Sequence, residues 1–422
     1  MGGPFHSRLF RAVLRPSKTS ALAALAVVSA ASAQTSSLTI DGYFDRGYVQ
    51  TNNTNNLKDA KAVSSNAGTT TVGIKGSEDL GGGLKAGFSI NTDWSEASGQ
   101  TQDGTAATSA QSGFANSQSF LDLSSAQFGT LRLGNPNSEI LTITTSVASP
   151  AFSTGVGSAY SSAFSIHNGF GTGTTGANNI FGASSVATLG NSIGTNAGQR
   201  QIRQANTIKY ISPTFAGFNV IVANVQKNDT AGLTTGSGTT DVAGVTEFAA
   251  NYANGPVVVG FAQTKVSTGT GTYANAALPA NASSTMSILG ASYQVLPVLK
   301  LHAGMGRSSS SGITAGITTT STVVATYAAS ATQASPYDAT SYQVGATYNL
   351  TPVITLMALY AKVDDKSVQN VDRTMLGLGA DYNFSKTTRA YVRYDNINYA
   401  SNLASFNGSK QTRTAIGVSK SF

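Results

Sequence analysis

The chain contains no cysteine, so disulfide scaffolds, zinc–thiolate sites and thiol nucleophiles are excluded. Histidine is nearly as scarce. His6, His167 and His302 are the whole complement of 422 residues, and an isolated imidazole is neither a catalytic nor a metal constellation. Charged residues make up 11%, against about 25% in ordinary soluble domains. Apolar side chains do not replace them, because mean hydropathy is −0.03. No later run approaches the roughly 20 apolar residues of a membrane helix, which excludes a helical membrane bundle. Disordered chains combine low hydrophobicity with high net charge, and this chain does not. Ser, Thr, Asn, Ala and 45 glycines fill the gap.

The N-terminus reads as an export signal. Arg8, Arg11, Arg15 and Lys18 precede a short apolar core, Ala21–Val28, and Ala31-Ser32-Ala33 supplies a small-residue cleavage site. Residues 1–33 are therefore expected to be removed between Ala33 and Gln34, leaving 34–422 as one domain. The apolar stretch is too short for an anchor. Removal takes four bases and no acids, so the net charge falls from +7 to +3. A pI near 9.4 is thus weak grounds for nucleic-acid binding, and an exported protein has little access to that partner.

Alternation dominates the rest. In Gly83–Trp94, Leu84, Ala86, Phe88, Ile90, Thr92 and Trp94 share one face, while Lys85, Gly87, Ser89, Asn91 and Asp93 share the other. A period of two marks a strand with one apolar and one polar side. Ala390, Val392 and Tyr394 repeat it opposite Tyr391, Arg393 and Asp395. Sixteen such segments can be counted, from 37–49 to 411–421. Short turns, at Ser77–Gly82, Ser125–Gln127, Ser212–Phe215, Asn254–Gly255, Val295–Leu296, Leu350–Thr351 and Phe384–Ser385, alternate with long polar loops, of which 50–68 is the first and 136–203 the longest. The pattern predicts an all-β, sixteen-stranded antiparallel transmembrane β-barrel, because a spanning sheet must close and such barrels have even strand numbers, short periplasmic turns and long outer loops. A soluble sandwich gives no alternation of loop lengths. Trp94, Tyr210, Phe215, Tyr252, Tyr348, Phe384 and Phe422 stand near strand ends, where interfacial aromatic girdles form.

Candidate chemistry is thin. Gly171–Gly176 matches G-x-G-x-x-G but lacks the flanking strand, helix and acidic residue of a dinucleotide site. Glu78-Asp79 and Asp364-Asp365 could hold a divalent cation loosely, although solvated turn carboxylates are the commoner outcome. No nucleophile–base pair is present, so the reading is no enzyme and no cofactor.

Several stretches resemble the general Gram-negative porins, particularly those of beta-proteobacteria. They are Leu38–Tyr48, Val72–Phe88, Phe128–Gly134, Asn206–Phe218, Tyr382–Tyr394 and Ile416–Phe422. The resemblance implies a homotrimer in the outer-membrane lipid, passive diffusion of small hydrophilic solutes and ions, and a third loop folded inward as a constriction. It also implies that the terminal Phe422 is a signal to the barrel-assembly machinery. The family's loop acids face a basic cluster on the opposite wall. Here Thr71, Ser117 and Asn135 stand where the family often has arginine, whereas Arg203 matches. Lys75, Arg132 and Lys209 lie at lumen-side parity. The 60 residues from Ile140 to Gln199 contain no Asp, Glu, Lys or Arg. Lys75, Arg132, Arg203 and Lys209 are therefore expected to line the pore and give weak anion selectivity. A solute-specific channel, or an adhesin or structural barrel acting through its outer loops, are the alternatives.

Overall fold

A strand with one apolar side needs hydrogen-bond partners on both edges, and in hydrocarbon a sheet cannot leave an edge open. The computed structural model describes residues 36–53, 58–64, 66–95, 100–101, 115, 117–152, 154–158, 203, 206–226, 244–267, 272–273, 276–277, 283–311, 338–366, 372–400, 408 and 410–422. Within them the sheet closes. The barrel strands are β1 (Ser36–Asn53), β2 (Thr71–Gly81), β3 (Leu84–Ser95), β4 (Ser119–Ser125), β5 (Gly129–Asn135), β6 (Thr207–Ile211), β7 (Phe218–Val225) and β8 (Gly244–Asn254). They continue with β9 (Val257–Ser267), β10 (Ser283–Leu296), β11 (Leu299–Ser311), β12 (Asp338–Asn349), β13 (Ile354–Asp365), β14 (Asp372–Asn383), β15 (Thr388–Ala400) and β16 (Lys410–Ser421). Each pairs antiparallel with its sequence neighbours, and β1 pairs with both β2 and β16, from Ser36↔Glu78 on one edge and from Tyr43↔Ser421 on the other. At this seam Gly42 and Phe422 exchange backbone hydrogen bonds of 3.2 and 3.1 Å, and the Phe422 ring stacks on Phe44.

The sixteen segments read from alternation are the sixteen barrel strands, but three details differ. Val295–Leu296 ends β10, and the turn there is Pro297–Val298. Ser77–Gly82 is not a turn: β2 runs on to Gly81, pairing Glu78 with Ala86 and Asp79 with Lys85. The reversal is made by Gly81, Gly82 and Gly83, all at φ between +62° and +82°, a region that only glycine enters freely. The 50–68 loop also contains sheet, because Lys58–Ser64 pairs with the upper half of β1.

Parity is as expected. Leu121 and Ile416 are 63% and 60% exposed, and Leu133, Ile208, Leu289, Leu378 and Val392 join them on the outer face. Tyr210, Phe215, Phe218, Tyr348, Phe384 and Phe422 are exposed near the short-turn rim. The side chain of Trp94 lies outside the described residues, as do 1–35, His167 and Gly171–Gly176.

Arginine on the outer face near the bilayer midplane costs roughly 2–4 kcal/mol, whereas lumen positions tolerate it. Phe88→Arg should therefore cut the yield of heat-modifiable barrel refolded into lipid vesicles far more than Ser89→Arg. Equal yields would contradict the register.

Candidate functional site

The inner face carries both charge and an unexpected apolar track. After β5 the chain turns inward at Asn137, which bridges to Arg203. Ser138 then caps a short helix, α1 (Glu139–Ile143), its hydroxyl accepting from the Leu141 amide at 3.1 Å. Threonine, serine and asparagine are favoured at such a position because the side chain satisfies an orphaned amide. A π turn, Thr144–Ala148, follows. Ile140, Ile143, Ala148 and Phe152 are fully buried against Ala249, Ala262, Ile288, Leu359 and other inward side chains. The loop approaches this closely because the wall is glycine. A Cβ on Gly260 or Gly290 would fall 2.9 or 2.8 Å from Ile143, one on Gly304 would fall 2.7 Å from Ala148, and one on Gly377 would fall 2.6 Å from the Gly157 carbonyl. The described part of the third loop therefore runs round the inside of the barrel from β8 to β14.

Polar contacts pin it at several points. Lys209 Nζ lies 3.2 Å from Glu139 Oε1 and 3.2 Å from Glu247 Oε1, and it donates to the Asn137 carbonyl at 2.7 Å. Glu247 Oε2 accepts from Thr264 Oγ1 at 2.7 Å and from the Glu139 amide at 3.1 Å. Burial raises the Glu139 carboxyl above its ordinary value, Lys209 opposes that rise, and Glu247 adds to it. One buried cation thus faces two carboxylates, and a proton on Glu139 leaves the group neutral. Further along, His302 Nδ1 is 3.0 Å from the Ala148 carbonyl. The Val156 amide donates to the Asn66 carbonyl at 2.8 Å, and the Gly157 amide donates to Asp395 at 2.8 Å.

Lys75, Arg132 and Lys209, singled out by parity, and Arg203, singled out by the resemblance, all point inward, and each meets a carboxylate. Lys75 pairs with Asp41 at 2.5 Å. Arg132 grips Asp122 through two hydrogen bonds of 2.8 Å and lies over the Phe120 ring. Arg203 donates to Asp93 at 2.8 Å and to Ser117 Oγ at 2.7 Å. Lys209 is 1% exposed and serves the loop. These residues do not form one cluster, and the pairing that offsets their charge was not readable from spacing.

The larger basic patch lies on β14–β16. Arg389 donates to Asp381 at 2.9 Å, to Tyr43 OH at 3.0 Å and to Ser419 Oγ at 3.1 Å. Arg393 meets the other oxygen of Asp381 at 2.6 Å, with Phe152 of the loop beneath its guanidinium. Arg413 pairs with Asp395 at 2.5 Å, and Arg373 is buried on the same face. Asp45 sits below, accepting from the Ala67 and Gly68 amides and from Tyr391 OH. Asp365 is fully buried at the inward parity next to Arg373, so four guanidinium groups face four carboxylates. Arg389, Arg393 and Arg413 share the inward parity of Asp395, which is the signal that could have found them. Asp364 and Asp365 gather no third ligand, and no cluster of three metal-ligating side chains occurs among the described residues.

Residues 20–402 match the family model described as Gram-negative porin. Outer membrane porin protein 32 of Delftia acidovorans is 34% identical over 208 residues, 47% of this chain and 46% of that protein. The match thus spans about half the length of the curated relative. Among solved structures, the anion-selective porin from Comamonas acidovorans superposes with a TM-score of 0.65 at 22% identity, covering 92% of this chain and 100% of that one. OmpT of Vibrio cholerae superposes with a TM-score of 0.57 at 12% identity, covering 92% and 98%. Both share the fold.

Removing Lys209 leaves two buried carboxylates unpaired, which typically costs about 3–5 kcal/mol. Lys209→Met should therefore lower amide-exchange protection of 139–148 by roughly 100-fold or more while the barrel strands stay protected. Adding Glu139→Gln and Glu247→Gln should recover most of it. The docked loop holds a proton on Glu139 that a free loop releases above its ordinary value of 4.5. Docking is thus strongest at acid pH and weakens as pH rises through the raised value. Protection that ignores both Lys209 and pH would show that the group does not hold the loop.

Proposed function

The chain belongs to the Gram-negative porin family, and from that premise we propose that it forms a water-filled channel through which small hydrophilic solutes and ions diffuse passively, with a weak preference for anions. Family membership places the barrel in the outer membrane as a multi-pass protein, and porins are channels rather than enzymes. The observation that carries the anion preference is the inner-wall charge. Arg373, Arg389, Arg393 and Arg413 stand against Asp45, Asp365, Asp381 and Asp395, and Lys300, which forms no ion pair among the described residues, adds one positive charge on the same side of the lumen. The described part of the loop that faces them carries no charge after Glu139, and the sequence has none from Ile140 to Gln199. Clusters of fixed charge in a narrow pore decide which ions enter. Most of this charge is paired, which is why the preference is weak. Lys75, Arg132 and Arg203 add local field along β2, β5 and the start of β6, each offset by its aspartate.

Three further parts of the proposal rest on resemblance and sequence. The barrel assembles as a homotrimer, Phe422 is read by the assembly machinery, and the mature chain starts at Gln34. The position of Phe422 at the seam, bonded to Gly42 and stacked on Phe44, supports the second of these.

In a planar bilayer under a salt gradient, wild type should show a reversal potential of anion sign at 0.1 M salt that fades towards 1 M, as the screening length falls from about 10 Å to about 3 Å. Arg389→Gln combined with Arg413→Gln should move it towards zero, and Arg203→Glu should weaken it further or reverse it. Clear cation preference in wild type at low salt would refute the reading. Absence of conductance steps would refute the channel itself.

A further inference from the structure

A cavity of about 350 Å³ opens beneath the third loop, on the short-turn side of the barrel. Its roof is Pro150 and Ala151, and its floor and walls come from β10–β15. The roof is fixed two residues earlier, where His302 holds the Ala148 carbonyl. The strand register explains the rest. Gln294, Lys300 and Thr347 form one cross-strand row over β10, β11 and β12, one step on the short-turn side of the row that holds Ser292, His302 and Gly345. Thr355, Met357, Asp381 and Arg389 close the far wall.

The chemistry of this lining is lopsided. Val298 and Met357 join Pro150 and Ala151 as apolar surface. Lys300 is half-buried, forms no ion pair among the described residues, and points inward on β11. Arg389 is a third exposed. The one carboxylate present, Asp381, is already shared by Arg389 and Arg393. The cavity therefore has spare positive charge from Lys300 on one wall and Arg389 on the facing one, apolar surface in its roof and at Met357, and a size within the usual range of small-ligand sites. The polar groups between them, Asn349, Asn383 and Gln294, are amides that can accept or donate.

We propose that this cavity is a binding site for a small organic monocarboxylate with an apolar body, its carboxylate on Lys300 and Arg389 and its body under Pro150–Ala151 against Met357. The inference rests on the channel reading and adds a solute class to it. The cavity lies on the short-turn side of the loop, so a solute arriving from that side reaches it without passing the loop. Occupancy fills space in the conducting path, and the bound solute should interrupt current.

Benzoate is a suitable probe and benzamide its uncharged counterpart. In single-channel recordings of the detergent-purified, reconstituted protein, benzoate should produce resolved closures at concentrations where benzamide produces none. Closures should be more frequent with benzoate on the short-turn side. Equilibrium dialysis of the detergent-solubilised protein should show the same preference. Lys300→Gln should weaken binding about tenfold or more, the loss expected of one hydrogen bond to a charged group. Lys85→Gln, on the inner face of β3 away from the cavity, should leave it unchanged. Conductance in which benzoate and benzamide behave alike in wild type, or in which Lys300→Gln binds benzoate as wild type does, overturns the inference and leaves the channel standing. Absence of conductance overturns the channel reading instead.

Discussion

Every described barrel strand depends on one requirement, that no backbone amide or carbonyl faces hydrocarbon without a partner. The chain meets it by closing the sheet, and closure happens where the first and last barrel strands, β1 and β16, pair. β1 is the longest barrel strand, and it hydrogen-bonds to β2 along its first half, to the Lys58–Ser64 extension along its second, and to β16 along most of its length. Gly42 is small enough to lie under the terminal phenyl ring of Phe422, so the last residue both completes the hydrogen-bond ladder and covers the seam with apolar surface. Once the wall has no edge, outer-face side chains are free to be apolar and inner-face ones to be polar.

A closed sixteen-stranded wall encloses more space than its own inward side chains fill, and the third loop occupies part of it. Small residues make that possible. Gly260, Gly290, Gly304 and Gly377 leave a shallow track on the inner wall, and Ile143, Ala148 and Gly157 lie in it. Burial of Ile140, Ile143 and Phe152 supplies the non-directional attraction. The Lys209 group, the His302 contact and the Gly157–Asp395 hydrogen bond fix where along the wall each part sits. The same bonds set the lumen electrostatics. Asp395 is held by Arg413 and a loop amide at once, and Phe152 packs under Arg393, so the position of the loop and the charge of the wall are coupled.

The barrel was legible in the sequence because a lipid-facing strand must alternate. Phe88 against Ser89 and Val392 against Arg393 reveal their sides without any structure. The Ser77–Gly82 turn was misplaced because glycine is frequent inside these strands as well as between them, and only the run Gly81-Gly82-Gly83 meets the positive-φ requirement. The inward loop followed from the resemblance alone, and the apolar wall on which it docks was illegible for a different reason. On β13 and β14, Met357, Leu359 and Met375 point inward while Leu356, Tyr360 and Leu376 point outward, so an apolar inner wall looks like an ordinary buried strand. The basic patch does not stand where relatives often carry arginine, at Thr71, Ser117 and Asn135. Arg389, Arg393 and Arg413, at the same inward parity on the last strands, supply the charge instead. Pairing is a property of the closed sheet: Arg132 meets Asp122 only because β4 and β5 are in register.

The central claim is that the third loop lies inside the barrel, facing the arginines of the last strands. The chain has no cysteine, so one introduced at Thr145, half-buried in the π turn, would be its sole thiol. The decisive measurement records the current through the Thr145→Cys channel while anionic and cationic methanethiosulfonate reagents of similar size are added in turn. The account predicts a stepwise fall in conductance on modification, with the anionic reagent reacting faster at low salt. Full modification that leaves the current unchanged would place the loop outside the conducting path and contradict it.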